Sequence, residues 1–237
     1  MVSKNELKQL SQLGQKKLRK QLELFPVEGK KAIATFVANG YEKTHCFTLE
    51  KHDDFQSQIV SETIMKKLSN LSTAPALWAA FKLPKEAAFV QQTLNLALDG
   101  IRDPGNLGTI IRLCDWFGVH HLVCSTDTAD CYNPKVVQAS MGSLAKVKLH
   151  YVDLPSFIQQ HKLTAVGTEM QGDSVYAAKL PPNPILIMGN EGKGISDAVK
   201  SIIKKNIAIP SYGMPAAESL NVAMATGIIL SEFRRKG

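Results

Sequence analysis

From residue 94 onward, short runs of apolar residues alternate with segments in which apolar residues recur at helical spacing. The apolar runs predict strands over 94–98, 121–124, 146–150, 163–167, 185–188 and 206–209. The helical spacing predicts helices over 107–116, 134–140 and 218–234. Apolar strands that alternate with helices are typical of a mostly parallel sheet covered on both faces, so an α/β fold is predicted. Such sheets bind ligands beyond the carboxyl ends of their strands.

The first 88 residues show a different pattern. Leucines at helical spacing predict one amphipathic helix over residues 5–25, and the opposite face of this helix is basic. The basic residues are Lys16, Lys17, Arg19 and Lys20. A helix through Ile33 and Phe36, strands over 45–48 and 76–81 and a helix over 62–68 follow, which together predict a small α/β module. A polar break begins at Pro84, so we expect two domains, 1–88 and 89–237.

Composition adds a bias toward positive charge. The 237 residues are 44% hydrophobic, which is typical of a globular protein, and they carry a net charge of +7. Residues 1–90 hold 14 basic and 9 acidic residues, and residues 91–237 hold 14 and 12, so most of the excess lies in the front domain. This balance fits an anionic partner such as RNA, although many enzymes without a nucleic-acid role share it. The basic helix face is therefore either an RNA phosphate contact or a solvated surface.

Membrane, disulfide and metal classes are not indicated. No apolar stretch approaches the roughly 18 residues of a membrane span, and the sequence MVSKNELKQL has no signal-like apolar core, so we expect a cytoplasmic protein. The cysteines show no Cys-x-x-Cys pairing and no metal-like histidine spacing, so we expect buried thiols and no metal. They are Cys46, Cys114, Cys124 and Cys131.

Two segments of the second domain place glycine and polar residues directly after a predicted strand. In residues 96–119, a polar turn from Asp99 to Asn106 leads into the helix that carries Arg112. Arg112 either serves a site at the sheet edge or pairs with a nearby aspartate, Asp99 or Asp115. In residues 185–196, a glycine-rich run follows a strand but matches neither the Walker A loop nor the Gly-x-Gly-x-x-Gly fingerprint, which disfavours ATP and NAD.

A third segment, residues 207–236, contains a strand, a polar loop and a long helix. Ser219 and Asn221 lie near the start of that helix. Hydroxyl and amide side chains are common there as helix caps, and capping alone explains one of them but not both.

Together, the three segments resemble the motifs of the SpoU/TrmH family, S-adenosylmethionine-dependent RNA 2'-O-ribose methyltransferases of the SPOUT superfamily. The matching residues are Asp99, Asp103-Pro104-Gly105-Asn106-Leu107-Gly108 and Arg112, then Gly189-Asn190-Glu191-Gly192, then Ile209-Pro210 and Glu218-Ser219-Leu220-Asn221-Val222. Their order and spacing agree over about 145 residues. The front domain more loosely resembles the substrate-binding domain of the family. Residues 211–217 form a loop about two residues longer than is usual in the family.

The resemblance implies a deep trefoil knot, a homodimer with a shared active site and S-adenosylmethionine as the cofactor. Its adenine is expected to contact backbone groups at Thr168, Gly189, Ile209 and Leu220. The expected catalytic residues are Arg112, Asn106, Glu191, Ser219 and Asn221, with Glu191 as the partner of Arg112. A guanidinium is a poor base, so Arg112 is expected to hold a phosphate and stabilise developing negative charge, with proton loss to water.

Several functions remain open from the sequence. The two-domain size favours ribosomal RNA as the substrate, with transfer RNA as the alternative. A catalytically silent RNA-binding assembly factor would not need all five catalytic residues. A metabolic enzyme with another nucleotide is disfavoured by the missing phosphate loop and by the basic front domain.

Overall fold

The computed structural model describes residues 2–50, 55–213 and 219–235. The chain divides into two compact units. The first comprises the residues up to Glu86 together with Asp130–Lys146, and the second comprises Ala87–Ala129 and the residues from Val147 onward.

A four-stranded sheet forms the centre of the first unit, with the strand order β1-β4-β2-β3. The strands are β1 (Leu24–Glu28), β2 (Lys43–Thr48), β3 (Gln58–Ile59) and β4 (Leu77–Lys82). The helices are α1 (Lys4–Leu10), α2 (Lys16–Leu22), α3 (Lys30–Ala38), α4 (Glu62–Leu68) and α6 (Pro134–Ala139). The β4 strand pairs antiparallel with both β1 and β2, and its Trp78 is fully buried.

The β1 strand, which was not predicted from the sequence, contains Pro26. A proline nitrogen cannot donate to a sheet, so proline argues against a central strand. Among the residues that the structure describes, β1 is an edge strand whose one sheet partner is β4, and Pro26 lies opposite Ala80. The Phe25 side chain is fully buried and packs on Phe36 and Tyr132, with ring centroids 5.4 and 4.7 Å away.

The prediction of one helix over residues 5–25 is wrong, because two helices, α1 and α2, occupy this segment. Gly14 lies between them, and a Cβ atom at Gly14 would be 2.7 Å from Asn70 Oδ1. The break releases the carbonyl oxygens of Leu13 and Gly14 from helical hydrogen bonds. Arg19 Nη1 donates to both oxygens, each at 2.8 Å.

Arg19 therefore does not lie on the exposed basic face that the sequence predicted. It is only 2% exposed, and its Nη2 donates to Asp130 Oδ2 at 2.7 Å. Lys16, Lys17 and Lys20 are exposed, as predicted. Arg19 is removed from the candidate phosphate contacts, because its guanidinium is already used by two carbonyl groups and a carboxylate.

The second unit contains a six-stranded sheet in which every pair of neighbours is parallel, with the order β10-β8-β9-β5-β6-β7. Its strands are β5 (Asn95–Asp99), β6 (His121–Ser125), β7 (Lys148–Val152), β8 (Thr164–Ser174), β9 (Pro184–Gly189) and β10 (Lys205–Ala208). Its helices are α5 (Pro104–Trp116), α7 (Leu154–Gln160), α8 (Asp197–Lys200) and α9 (Val222–Arg235). The predicted parallel α/β architecture is confirmed, whereas α7 and α8 were not predicted.

The four cysteines are buried thiols, as expected. Within residues 2–50, 55–213 and 219–235, no helix is long and apolar enough to cross a membrane. In the same parts of the chain, no group of three His, Cys, Asp or Glu side chains is placed to hold a metal ion.

A pair of histidines in the second unit predicts a pH dependence of stability. His121 Nδ1 lies 2.9 Å from His150 Nε2, and the two rings stack beside Phe89. Burial, together with the positive charges of His120 and Lys148, lowers the pKa of His121 from its ordinary value of 6.5. A lowered pKa means that the unfolded chain binds this proton more tightly than the folded chain does. The contribution of His121 to stability is therefore complete above pH 6.5 and is lost as the pH falls through the lowered pKa.

We expect the free energy of unfolding of the wild type to fall between about pH 7 and pH 5, and to fall less steeply in His121→Gln. Urea unfolding at a series of pH values measures both slopes. Equal slopes in the two proteins would contradict this assignment.

Candidate active site

The candidate site lies at the carboxyl edge of the parallel sheet, where β5 and β9 end side by side. Asp99, the last residue of β5, pairs with Gly189, the last residue of β9. The next residues along each strand belong to the polar segments that the sequence singled out. The topology therefore brings the first two segments together, because parallel neighbours end at the same edge.

The start of α5 is defined by a side-chain cap. Asp103 Oδ1 accepts a hydrogen bond from Asn106 N at 2.8 Å, and Pro104 occupies the first turn, where its missing N–H costs nothing. One side of α5 is buried, and it consists of Leu107, Ile110, Ile111 and Cys114. The cap and the buried side together fix the direction in which the Asn106 side chain projects from α5.

Three of the predicted catalytic residues form one chain of hydrogen bonds. Asn221 Nδ2 donates to Asn106 Oδ1 at 2.9 Å, and Asn106 Nδ2 donates to Glu191 Oε1. Asn221 Oδ1 also accepts from the backbone of Ala223 and so caps α9. Because each residue comes from a different segment, Asn106 joins all three segments at one point. The chain ends on the Glu191 carboxylate, which is exposed at the site.

Gly189 allows a close backbone approach at the end of β9. A Cβ atom at this position would lie 2.5 Å from the carbonyl carbon of Gly194 and 2.6 Å from Ile195 N. Only glycine fits such a contact. The following residues form a tight turn in which the backbones of Asn190 and Gly194 pair at 2.8 and 3.0 Å. The turn presents Glu191 to Asn106.

Arg112 and Glu191, which were predicted to pair, do not pair within this chain. Glu191 accepts from Asn106 instead, and the exposed Arg112 guanidinium forms no ion pair or hydrogen bond with any residue that the structure describes. Arg112 also forms no ion pair with Asp99 or Asp115, which the sequence offered as alternative partners, within the part of the chain that the structure describes. Arg112 lies six residues after Asn106, so its side chain points about 120° away and starts about 9 Å further along α5.

The four predicted adenine contacts lie within β8, at the end of β9, directly after β10 and shortly before α9. Thr168 pairs with Met188, one residue before Gly189, so both lie near the same sheet edge. Ile209 directly follows β10, and Leu220 lies two residues before α9, 50% exposed. The resemblance assigns backbone groups at these positions to the adenine, and the space beside the Gly189 Cα is filled by the backbone of Gly194 and Ile195.

The third segment is only partly described. Ser219 is exposed. Glu218 and residues 214–217 of the longer loop lie outside the described residues.

Sequence reasoning assigned no role to three polar residues that support this site, Asn190, Ser125 and Asp127. Asn190 Nδ2 donates to Gly100 O at 2.7 Å, and Ser125 Oγ accepts from Gly100 N at 2.8 Å. Asp127 accepts from the Ser125 hydroxyl at 2.7 Å. Ser125 ends β6, so the rule that polar residues follow strands to the ligand edge was the signal that could have found it.

The geometry defines a class, an α/β enzyme whose site is built from three strand-end segments. The sequence model of the SpoU rRNA Methylase family matches residues 93–231, and that of the MRM3-like substrate binding domain matches residues 4–79. The chain belongs to the SpoU rRNA Methylase family. The predictions of the family, of a methyltransferase and of the fold class are confirmed.

Individual relatives agree with this assignment. The 23S rRNA guanosine-2'-O-methyltransferase RlmP of Bacillus subtilis is 33% identical over 184 residues, which are 76% of this chain and 73% of RlmP. A protein assigned to the TrmH family of RNA methyltransferases from Porphyromonas gingivalis is 37% identical, covers 100% of both chains and gives a TM-score of 0.87.

A third comparison bears on the cofactor. An AdoMet-bound rRNA methyltransferase from Sinorhizobium meliloti is 26% identical, covers 100% of this chain and 97% of its own, and gives a TM-score of 0.86. The predicted cofactor, S-adenosylmethionine, is thereby confirmed at the level of the family.

Proposed function

We propose that the protein transfers a methyl group from S-adenosylmethionine to a ribose 2'-hydroxyl of ribosomal RNA. The observation that carries this proposal is the hydrogen-bonded chain of Asn221, Asn106 and Glu191 at the carboxyl edge of the sheet. It joins the three segments at the place where such a sheet binds its ligand. Ribosomal RNA is favoured over transfer RNA because RlmP, similar over 76% of this chain, acts on 23S rRNA.

When bound, S-adenosylmethionine supplies an electrophilic methyl group that is attached to a sulfonium, and the leaving group of the transfer is a neutral thioether. The chain must then align the ribose oxygen and stabilise the negative charge that develops on it. Backbone groups of Thr168, Gly189, Ile209 and Leu220 hold the cofactor. Asn106 and Glu191 orient the ribose, and Ser219 lies in the same segment as Asn221.

Arg112 contributes charge stabilisation. Because a guanidinium stays protonated, Arg112 binds the phosphate next to the reacting ribose and stabilises the negative charge that develops on the ribose 2'-oxygen. Water receives the proton of the 2'-hydroxyl. Its distance along α5 from Asn106 means that it does not serve the Glu191 of its own chain. We assign Arg112 of the partner subunit to that role, in a homodimer with a shared site.

The homodimer interface is assigned to the exposed face of α5 and α9. On α5, Thr109, Arg112 and Trp116 lie along one exposed stripe, with Trp116 84% exposed. On α9, Met224 is 64% exposed. The two helices pack side by side, since Asn106 contacts Asn221 near their starts and Arg234 donates to Phe117 O near their ends. Large exposed apolar side chains on a helix pair fit an interface between copies.

The remaining parts of the proposal concern organisation. Residues 1–88 form the RNA substrate-binding domain and residues 89–237 the methyltransferase domain. Lys16, Lys17 and Lys20 contact RNA phosphates and position the substrate. The cofactor loops form a deep trefoil knot, and the protein acts in the cytoplasm.

Two measurements test the proposed function. S-adenosylmethionine at millimolar concentration should raise the melting temperature, since a ligand that binds only the folded state stabilises it. Ribose-methylation mapping of RNA from a deletion strain should show one lost 2'-O-methyl group in ribosomal RNA.

The alternatives give different results. A lost methyl group in transfer RNA would replace the proposed substrate. No shift with S-adenosylmethionine and no lost methyl group would favour a silent RNA-binding assembly factor. A shift with ATP or NAD instead would favour a metabolic enzyme.

A further inference from the structure

Gly100 has a left-handed backbone that is clamped from both sides. It connects Asp99 at the end of β5 to the loop that caps α5, and its φ is +72°. A Cβ atom here would lie 3.4 Å from Asp127 Oδ2. Its N–H donates to Ser125 Oγ at 2.8 Å, and its C=O accepts from Asn190 Nδ2 at 2.7 Å. Side chains from two neighbouring strand ends therefore hold the backbone that leads to Asn106.

The Ser125 hydroxyl has a defined direction. Ser125 Oγ donates to Asp127 Oδ1 at 2.7 Å, and Asp127 Oδ2 accepts from Arg102 Nη2 at 2.8 Å. An ionised carboxylate is only an acceptor, so the hydroxyl hydrogen goes to Asp127 and the hydroxyl oxygen remains for the Gly100 N–H. The hydrogen bond from Arg102, followed by that from Ser125, lowers the pKa of Asp127, which keeps it ionised near neutral pH. Arg102 belongs to the same loop as Gly100, so the set of contacts closes on itself.

Asn190 ties the second loop to the first. Its Oδ1 accepts from the backbone N–H groups of Gly192 and Lys193, both at 3.0 Å. This fixes the amide orientation, so Nδ2 must face the Gly100 carbonyl. Asn190 directly precedes Glu191, and Gly100 precedes the cap of α5, which carries Asn106. The hydrogen bond from Asn190 to Gly100 therefore links the same two loops as the hydrogen bond from Asn106 to Glu191.

We propose that Ser125, Asp127 and Asn190 are positioning residues for methyl transfer, which hold the Gly100 backbone so that Asn106 and Glu191 meet in the catalytic geometry. The inference rests on the proposed function. None of the three touches the reacting atoms in this role. They act through Asn106, whose place is set by the loop they hold. A misplacement of about 1 Å in a reacting group lowers rates by about 100-fold, so loss of one tie has a measurable effect.

The test compares turnover in variants that differ by single polar atoms. Ser125→Ala removes the acceptor for Gly100, and Ser125→Thr keeps it. Thr126→Ala is the matched control, because it removes an exposed hydroxyl one residue away. Asn190→Asp keeps the oxygen that organises its own loop and loses the donor to Gly100.

Turnover is measured at saturating RNA and S-adenosylmethionine, per folded protein. We expect kcat to fall about 10-fold or more in Ser125→Ala and Asn190→Asp, with KM for both substrates within about twofold of wild type. Ser125→Thr should recover most of the loss, and Thr126→Ala should match wild type. A merely structural role would instead lower the melting temperature and leave kcat per folded protein unchanged.

Each outcome is decisive. An active wild type with unchanged kcat in Ser125→Ala and Asn190→Asp overturns the inference and leaves the proposed function intact. Failure of Ser125→Thr to recover kcat also overturns it. A wild type that methylates no ribose overturns the proposed function, and the inference falls with it.

Discussion

Replacement of Arg112 by alanine is expected to lower kcat for methyl transfer by about 1,000-fold and to leave the affinity for S-adenosylmethionine nearly unchanged. The guanidinium is exposed and has no ion-pair partner among the described residues, so its loss should not affect stability. Calorimetric binding of the cofactor and a methyl-transfer assay measure the two quantities. Arg112→Lys is the matched control, and it should recover little, because a single ammonium cannot reproduce a bidentate contact to phosphate.

A mixing experiment tests whether Arg112 acts on the partner subunit. Arg112→Ala and Asn106→Ala should each be inactive alone. Coexpressed in equal amounts with different tags, they should recover about a quarter of wild-type activity, because half of the dimers are mixed and each mixed dimer has one intact site. No recovery in purified mixed dimers would place Arg112 in the site of its own chain. Loss of cofactor binding together with activity would make Arg112 structural.

Replacement of Arg19 by methionine is expected to lower the free energy of unfolding by about 3 kcal/mol. Methionine fills similar space, but it leaves the Asp130 carboxylate and the carbonyl groups of Leu13 and Gly14 without their donor. Urea unfolding measures the loss. Asp130→Asn in the Arg19→Met background should restore part of it, because the amide removes the uncompensated charge.

The three exposed lysines of the same helix provide the control. Changing Lys16, Lys17 and Lys20 to Gln should alter stability little, since all three side chains are exposed. It should raise KM for RNA and flatten the slope of log affinity against log salt by up to about two units on single-stranded RNA. If Arg19→Met is as stable as wild type, the buried ion pair does not hold this unit together. An unchanged salt slope in the triple variant would make the lysines a solvated surface.

Local patterns predicted most of the second unit. Its central strands are continuous apolar runs because both faces of a parallel sheet are covered. Each of these strands can therefore be predicted from its own residues, without knowledge of the strands beside it. The buried side of α5 follows from helical spacing in the same way. The resemblance to the SpoU/TrmH motifs named Asn106, Glu191 and Asn221 as expected catalytic residues, and the tertiary structure joins the three side chains by hydrogen bonds.

Other features depend on partners that are distant in the sequence. For these features, only the tertiary structure shows which residues are buried and which residues pair. Helical spacing assigned Arg19 to an exposed face, because a charge normally needs water. Asp130, 111 residues away, and the broken helix provide the acceptors that allow its burial. The sequence likewise placed Arg112 in a candidate active-site segment. The helix phase that separates it from Asn106 leaves it without Glu191 as a partner within its own chain, which is why we propose that it serves the partner subunit. Periodicity reports which side of an element is apolar, whereas the partner of a buried or catalytic charge is decided by where distant segments are packed.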